Sequence, residues 1–248
     1  MRRLLLPAVL LSLLLLPACA PQAVVPPAKQ ASTYFQEGEE FFESGLYQDA
    51  IASWEKVRDS YYSPELNILA ELKIAEAHYL AGQFIEAAAA YEAFLKNHPE
   101  HQKVADVLYQ LGLCHLSLML DKDQDQTATR QALTAFETLL KRYPADRRKE
   151  EVQAYIDRCL NLLAASEVVV GEFYLKTGRY QAAINRLNGV FKRYPNYYDR
   201  AETYFLLGQA YILAGDKAKA TESFNALFNQ FPHSEYIIAA QKFIEKNY

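Results

Sequence analysis

The chain is poor in the features that decide most function classes. The apolar run from Leu4 to Leu16 spans 13 residues, short of the roughly 20 that a helix needs to cross a bilayer, so a lasting transmembrane anchor is the weaker reading. Basic residues do not outnumber acidic ones: 26 Lys and Arg stand against 30 Asp and Glu, a formal net charge of −4. Without a basic stripe to neutralise phosphates, a nucleic-acid partner is excluded. There is no Gly-rich phosphate loop, no Gly-x-Ser-x-Gly elbow and no His-Glu-x-x-His pair, so the common hydrolase and nucleotide-binding chemistries have no local signature. Asp121, Asp123 and Asp125 alternate as in a calcium loop, but Gln126 stands where Gly is needed and Ala132 where a bidentate Glu should be, which rejects calcium. His98 and His101 flank Pro99-Glu100 with no further Cys or His near enough to complete a zinc site. Cysteine is scarce as well. Cys114 and Cys159 lie inside apolar helical patterns and read as buried thiols, although an oxidising compartment would permit a disulfide between them.

What the N-terminus does contain is an address. Arg2 and Arg3, the apolar run and Pro17-Ala18 form the three parts of a secretory signal over residues 1–18. Leu16-Pro17-Ala18-Cys19 resembles the lipobox of bacterial lipoproteins, which implies cleavage before Cys19, a diacylglycerol on its sulfur and an acyl chain on its new amine. At about 0.8 kcal/mol per buried methylene, three chains hold a protein on a membrane essentially permanently. By the same resemblance, Ala20 in place of an Asp favours the outer membrane. Losing Arg2 and Arg3 with the signal moves the net charge from −4 to −6. Residues 19–30 carry Pro21, Pro26 and Pro27 among small residues and read as an extended tether; eleven residues reach on the order of 30 Å.

Beyond it the dominant signal is an internal repeat. Gly45-Leu-Tyr-Gln-Asp-Ala50 recurs from Gly82 to Ala87, Gly178 to Ala183 and Gly215 to Ala220, the first pair and the last pair each 37 residues apart. Large residues lead to a proline eight positions on: Tyr91 to Pro99, Phe136 to Pro144, Leu187 to Pro195, Phe224 to Pro232. The first copy has Trp54 and Tyr62, with its proline displaced to Pro64. Gly38, Ala75, Gly112, Gly171 and Gly208 occupy a small position in each first helix. This pattern resembles tetratricopeptide repeats and predicts an all-α, right-handed superhelix of five helix-turn-helix units with a capping helix near Ser234 to Glu245. Gly208 and Ala220 would let the paired helices approach, with Tyr211 and Phe224 filling the space between repeats.

Two irregularities interrupt the pattern. Gly112 to Ala132 spans 20 residues where the other copies use 12, leaving an insert near residues 118–129 within the N-terminal repeats of residues 31–144. From Ala145 to Thr177 no Pro or turn cluster occurs, which predicts one helix of about 30 residues opening the C-terminal part, residues 145–248. Lipobox, tether, five repeats, this insert ending Asp-Lys-Asp-Gln-Asp-Gln and the following Phe136 to Pro144 run together resemble the BamD (ComL) family of outer-membrane assembly lipoproteins.

The resemblance implies a non-catalytic scaffold of the complex that inserts β-barrel proteins into the outer membrane. Its C-terminal repeats would bind a BamA-like barrel protein through POTRA domains, and its N-terminal repeats would receive the C-terminal signals of unfolded β-barrel substrates, with other Bam lipoproteins as further partners. No cofactor is implied beyond the lipid on Cys19. Counting from the small positions puts Phe35, Phe42, Leu72, Tyr79 and Tyr109 on the groove-facing side of the first helices, with Glu39 and Glu76 among them. An aromatic, apolar groove suits an extended peptide; packing between helices is the alternative for each residue singly. The turn from Arg193 to Arg200 gathers Tyr194, Tyr197, Tyr198 and Arg200, residue types enriched at interface hot spots, and is the expected BamA side. Another repeat-containing outer-membrane lipoprotein, such as a pilotin-like pilus-assembly factor, is the competing binding reading. A cell-wall enzyme would require residues of distant repeats to converge.

Overall fold

Four nearly identical glycine turns and four nearly identical proline stops set the architecture. In the computed structural model, which describes residues 31–58 and 63–247, eleven α-helices follow one another: α1 (Ala31–Glu43), α2 (Tyr47–Arg58), α3 (Pro64–Leu80), α4 (Phe84–Asn97), α5 (Val104–Ser117), α6 (Thr127–Arg142), α7 (Lys149–Lys176), α8 (Tyr180–Arg193), α9 (Arg200–Leu213), α10 (Lys217–Gln230) and α11 (Tyr236–Asn247). The signal segment, Cys19, the tether and Tyr62 lie outside the described residues.

Gly45, Gly82, Gly178 and Gly215 take φ of 74°, 74°, 75° and 85°, a left-handed conformation that costs an L side chain roughly 1–2 kcal/mol. Each reverses the chain so that the next N–H reaches back to close the helix end: Leu46 N–H donates to Phe41 O at 2.9 Å, and Gln83 N–H to His78 O at 2.9 Å. The second helices stop differently. His98, Tyr143, Tyr194 and Phe231 have φ near −130° and ψ between 55° and 68°, because each precedes a proline whose ring excludes helical geometry there.

Within each unit the paired helices touch where the first carries its small residue. A Cβ on Gly38 would fall 2.4 Å from the Trp54 ring, one on Gly112 2.4 Å from Phe136, one on Gly171 2.7 Å from Leu187 and one on Gly208 2.6 Å from Phe224. This corrects the expected role of Phe224: it fills the notch over Gly208 inside its own repeat instead of the space between repeats. Helices then pack in chain order, α1 on α2 through α9 on α10, with α11 lying on α9 and α10. The result is an all-α tetratricopeptide-type stack of five helix pairs with a capping helix.

In the third pair, residues 118–126 replace the glycine turn. Buried Gln126 ties this insert down, donating to Asp121 O at 2.8 Å and accepting from the Thr129 hydroxyl at 2.8 Å. Asp125 is spent on the Thr127 N–H at 2.8 Å, at the entry to α6. Helix α7 runs for 28 residues without interruption. Cys114 and Cys159 are both free and buried, in different core clusters, and burial pushes the thiols up to about 12 and about 11.

The two classes of glycine are expected to fail differently. Gly112→Ala should lose roughly 1–3 kcal/mol through overpacking and regain part of it when combined with Phe136→Leu. Gly82→Ala should lose roughly 1–2 kcal/mol with no rescue from any neighbour, because nothing lies within 4 Å of its added Cβ. Urea unfolding of the set separates these outcomes.

Candidate functional site

Helices α3 and α5 and the entry to α7 line a groove of about 570 Å³. Its floor is apolar: Leu69, Leu72, Tyr91, Val107 and Tyr109, with Leu69 43% exposed. Its rim is charged, by Lys73, Glu76, Lys103, Asp106, Arg147 and Arg148. Of the five residues expected to face a groove, Leu72 and Tyr109 line this one. Phe35 and Phe42 instead turn their rings onto Trp54, at 6.2 and 5.5 Å between centroids, and Tyr79 meets Phe84 edge-on at 5.4 Å.

The charged rim is mostly pre-paired. Arg148 donates from Nε and Nη2 to the two carboxylate oxygens of Asp146 at 2.9 and 2.7 Å, forms a 3.1 Å ion pair with Asp106, and lies 4.5 Å over the Tyr109 ring. The Asp146 carboxyl is held down to about 2, chiefly by the Arg148 guanidinium. Glu151 accepts from the Tyr109 hydroxyl at 2.8 Å and from Tyr155 at 2.9 Å; burial and this carboxylate both raise the Tyr109 phenol. Lys73 pairs with Glu39 at 3.2 Å and sits 5.0 Å over Phe42 and 5.8 Å over Trp54. One cation thus links the aromatic cluster of the first repeat to the groove. Arg147, Arg148 and Glu151 were missed by the sequence reading, although the basic pair just after Pro144 marks where α7 must begin.

The turn before α9 is more divided than its composition suggests. Tyr197 is 4% exposed and belongs to the core of the fourth and fifth pairs, which corrects its expected place on a partner-facing surface; Tyr194 packs half-buried against the same core. Arg200 folds back over Phe191 and Tyr204, 5.4 and 5.8 Å from their rings. Tyr198 is 75% exposed, and its backbone N–H is pinned to Asn161 Oδ1 of α7 at 3.1 Å. Tyr198, insert residues Met119 to Asp123 and the α7 side chains Arg158, Asn161, Leu162, Ala165 and Val169 enclose a second groove of about 930 Å³. The two irregularities in the repeat pattern therefore meet at one surface. Among the described residues no group of three His, Cys, Asp or Glu could hold a metal ion; His98 pairs with Glu71 at 2.9 Å and stacks on Phe94.

A stack of helix pairs with an apolar groove along its first helices defines a tetratricopeptide-type binding scaffold. More particularly, the chain belongs to the YfiO family of outer membrane lipoproteins, whose family model matches residues 27–223. Similar curated proteins are named outer membrane protein assembly factor BamD. The one from Caulobacter vibrioides is 26% identical over 213 residues, 86% of this chain and 70% of that protein. That from Rickettsia prowazekii is 28% identical over 217 residues, covering 88% and 86%, and that from Vibrio cholerae 29% over 197 residues, covering 75% and 82%. The family is one of assembly factors and not of enzymes. Among solved structures, the TPR2AB domain of yeast Sti1 aligns with a TM-score of 0.44 at 13% identity, covering 88% of this chain and 98% of that one.

The Asp146–Arg148 pair has a pH signature. Because the folded carboxyl titrates at about 2 against an ordinary value of 3.8, its stabilisation is present above pH 3.8 and is lost as pH falls toward 2; the shift corresponds to about 2 kcal/mol. Acid unfolding of the native chain should show this component, and Asp146→Asn should remove it while lowering stability at pH 7.

Proposed function

We propose that this chain is a lipid-anchored scaffold subunit of the machinery that assembles β-barrel proteins in the outer membrane. The observation that carries the reading is the family match across residues 27–223 together with relatives named as outer membrane protein assembly factors. Cys19, acylated on sulfur and amine, holds the body at the periplasmic face of the outer membrane, with residues 19–30 as spacer. The groove over α3 and α5 receives the C-terminal signals of unfolded barrel substrates: its apolar floor accepts alternate side chains of an extended peptide while its rim supplies polar contacts. A BamA-like barrel protein docks through a POTRA domain on the C-terminal repeats, where exposed Tyr198 supplies the aromatic anchor and Arg200 the charge. Tyr194 and Tyr197 support that surface from beneath. Action is by binding and positioning, and other Bam lipoproteins complete the assembly.

Two measurements test this. Metabolic labelling with a palmitate analogue should mark the native chain and not Cys19→Ser. Tagged chain recovered from detergent-solubilised outer membranes should bring with it a BamA-like barrel protein identified by mass spectrometry, with recovery cut several-fold by Tyr198→Ser and by Arg200→Glu. Tyr198→Ser touches no core contact, so its effect cannot be attributed to misfolding. A preparation containing pilus or cell-wall proteins in place of a barrel protein would overturn the assignment.

A further inference from the structure

We infer that Arg147 receives the terminal carboxylate of a peptide bound in the α3–α5 groove, so that the peptide lies with its C-terminus at the entry to α7 and runs back over α5 toward α3. The inference rests on the proposed role of that groove and adds to it a polarity and an anchoring group.

The argument is one of elimination among the cations on the page. Lys73, Lys103, Arg147 and Arg148 line the groove. Lys73 is held by Glu39 and by Glu76 at 3.9 Å, and Lys103 by Asp106 at 3.2 Å. Arg148 is saturated by Asp146 and Asp106. The groove's own acids, Glu76 and Asp106, are consumed in these pairs. Arg147 is exposed and makes no ion pair or hydrogen bond among the described residues. Its neighbour Asp146 is turned to Arg148.

Nor does the start of α7 offer an alternative anion slot. The Arg148 N–H donates to Asp146 Oδ1 at 2.8 Å and the Lys149 N–H to Asp146 O at 3.0 Å, so the first backbone donors are already capped. What remains is a single uncompensated guanidinium at one end of an apolar floor. A planar fork of donors matches a carboxylate bidentately, and the adjoining surface of Leu69, Leu72 and Val107 suits apolar side chains just upstream of it. An acidic side chain in mid-peptide would bring the same chemistry. The groove's layout favours a chain end, because the cation sits at the margin, where α6 has ended and α7 begins, and not midway along the floor.

The test uses the protein purified from membranes in detergent and fluorescence anisotropy with three synthetic peptides of alternating polar and apolar residues ending in phenylalanine. One carries a free C-terminal carboxylate, one a C-terminal amide, and one an amide with a glutamate at mid-sequence. The free acid should bind about tenfold more tightly than either amide, the scale of one charge-assisted contact. Arg147→Ala should erase that difference while leaving amide binding and the melting temperature unchanged; Arg147→Lys should restore part of it. Equal binding of acid and amide by the native protein would overturn carboxylate capture while leaving the groove intact as a peptide site. Recovery of tight binding by the mid-sequence glutamate would overturn the polarity. If none of the peptides binds, and Leu72→Asp changes nothing, the groove reading falls together with the inference.

Discussion

Everything in the described unit depends on how closely two helices of one repeat can approach. Gly38, Gly112, Gly171 and Gly208 each leave a notch into which a large residue of the partner helix descends, Trp54, Phe136, Leu187 or Phe224, to a depth that even a methyl group would obstruct. Trp54, Phe136 and Leu187 are fully buried as a result. At interior packing densities a change of one carbon at such a contact is felt, and the spacing of the pair sets the angle at which the next pair must stack. The groove over α3 and α5 is a consequence of that stacking. Ala75 and Tyr91 make the same small-against-large pair in the second repeat with a methyl group of slack.

On this frame the site is held by charge. Arg148 is the common partner of Asp146, Asp106 and the Tyr109 ring, and Glu151 fixes the phenol at the other end of the same ring. Tyr109 is thereby oriented before any ligand arrives, which reduces the ordering cost that binding otherwise carries. Lys73 performs the equivalent service between Glu39 and the Phe42 and Trp54 rings. Such pre-pairing leaves few unbalanced charges, so those that remain carry the discrimination.

How much was legible in the sequence follows from what each residue constrains. The glycines and prolines were legible because each answers a backbone demand: positive φ at Gly45, Gly82, Gly178 and Gly215, an excluded helical region before Pro99, Pro144, Pro195 and Pro232. The single helix from Lys149 to Lys176 could be expected because nothing between Ala145 and Thr177 stops one. Side-chain destinations were not legible where periodicity fails. Tyr197 and Tyr198 are neighbours of identical chemistry, yet one is core and the other is 75% exposed, since a turn has no repeating face to divide inside from outside. Arg147 and Arg148 part company for the same reason. Phe35 and Phe42 lie on the expected helix, but Trp54, across the repeat, captures both rings. The meeting of the insert with α7 and Tyr198 is a contact between irregular segments, which no repeat pattern encodes.

The central claim is that one rigid stack presents two separate binding surfaces, a peptide groove over α3 and α5 and a partner surface around Tyr198. Photocrosslinking in living cells tests it most directly, with a photoreactive side chain substituted singly at Leu69 or at Tyr198 and the captured proteins identified by mass spectrometry. The account predicts many unfolded barrel substrates, joined through their C-terminal segments, at Leu69, and one abundant BamA-like barrel protein at Tyr198. Capture of the same protein at both positions, or of substrates at Tyr198 and none at Leu69, would contradict it.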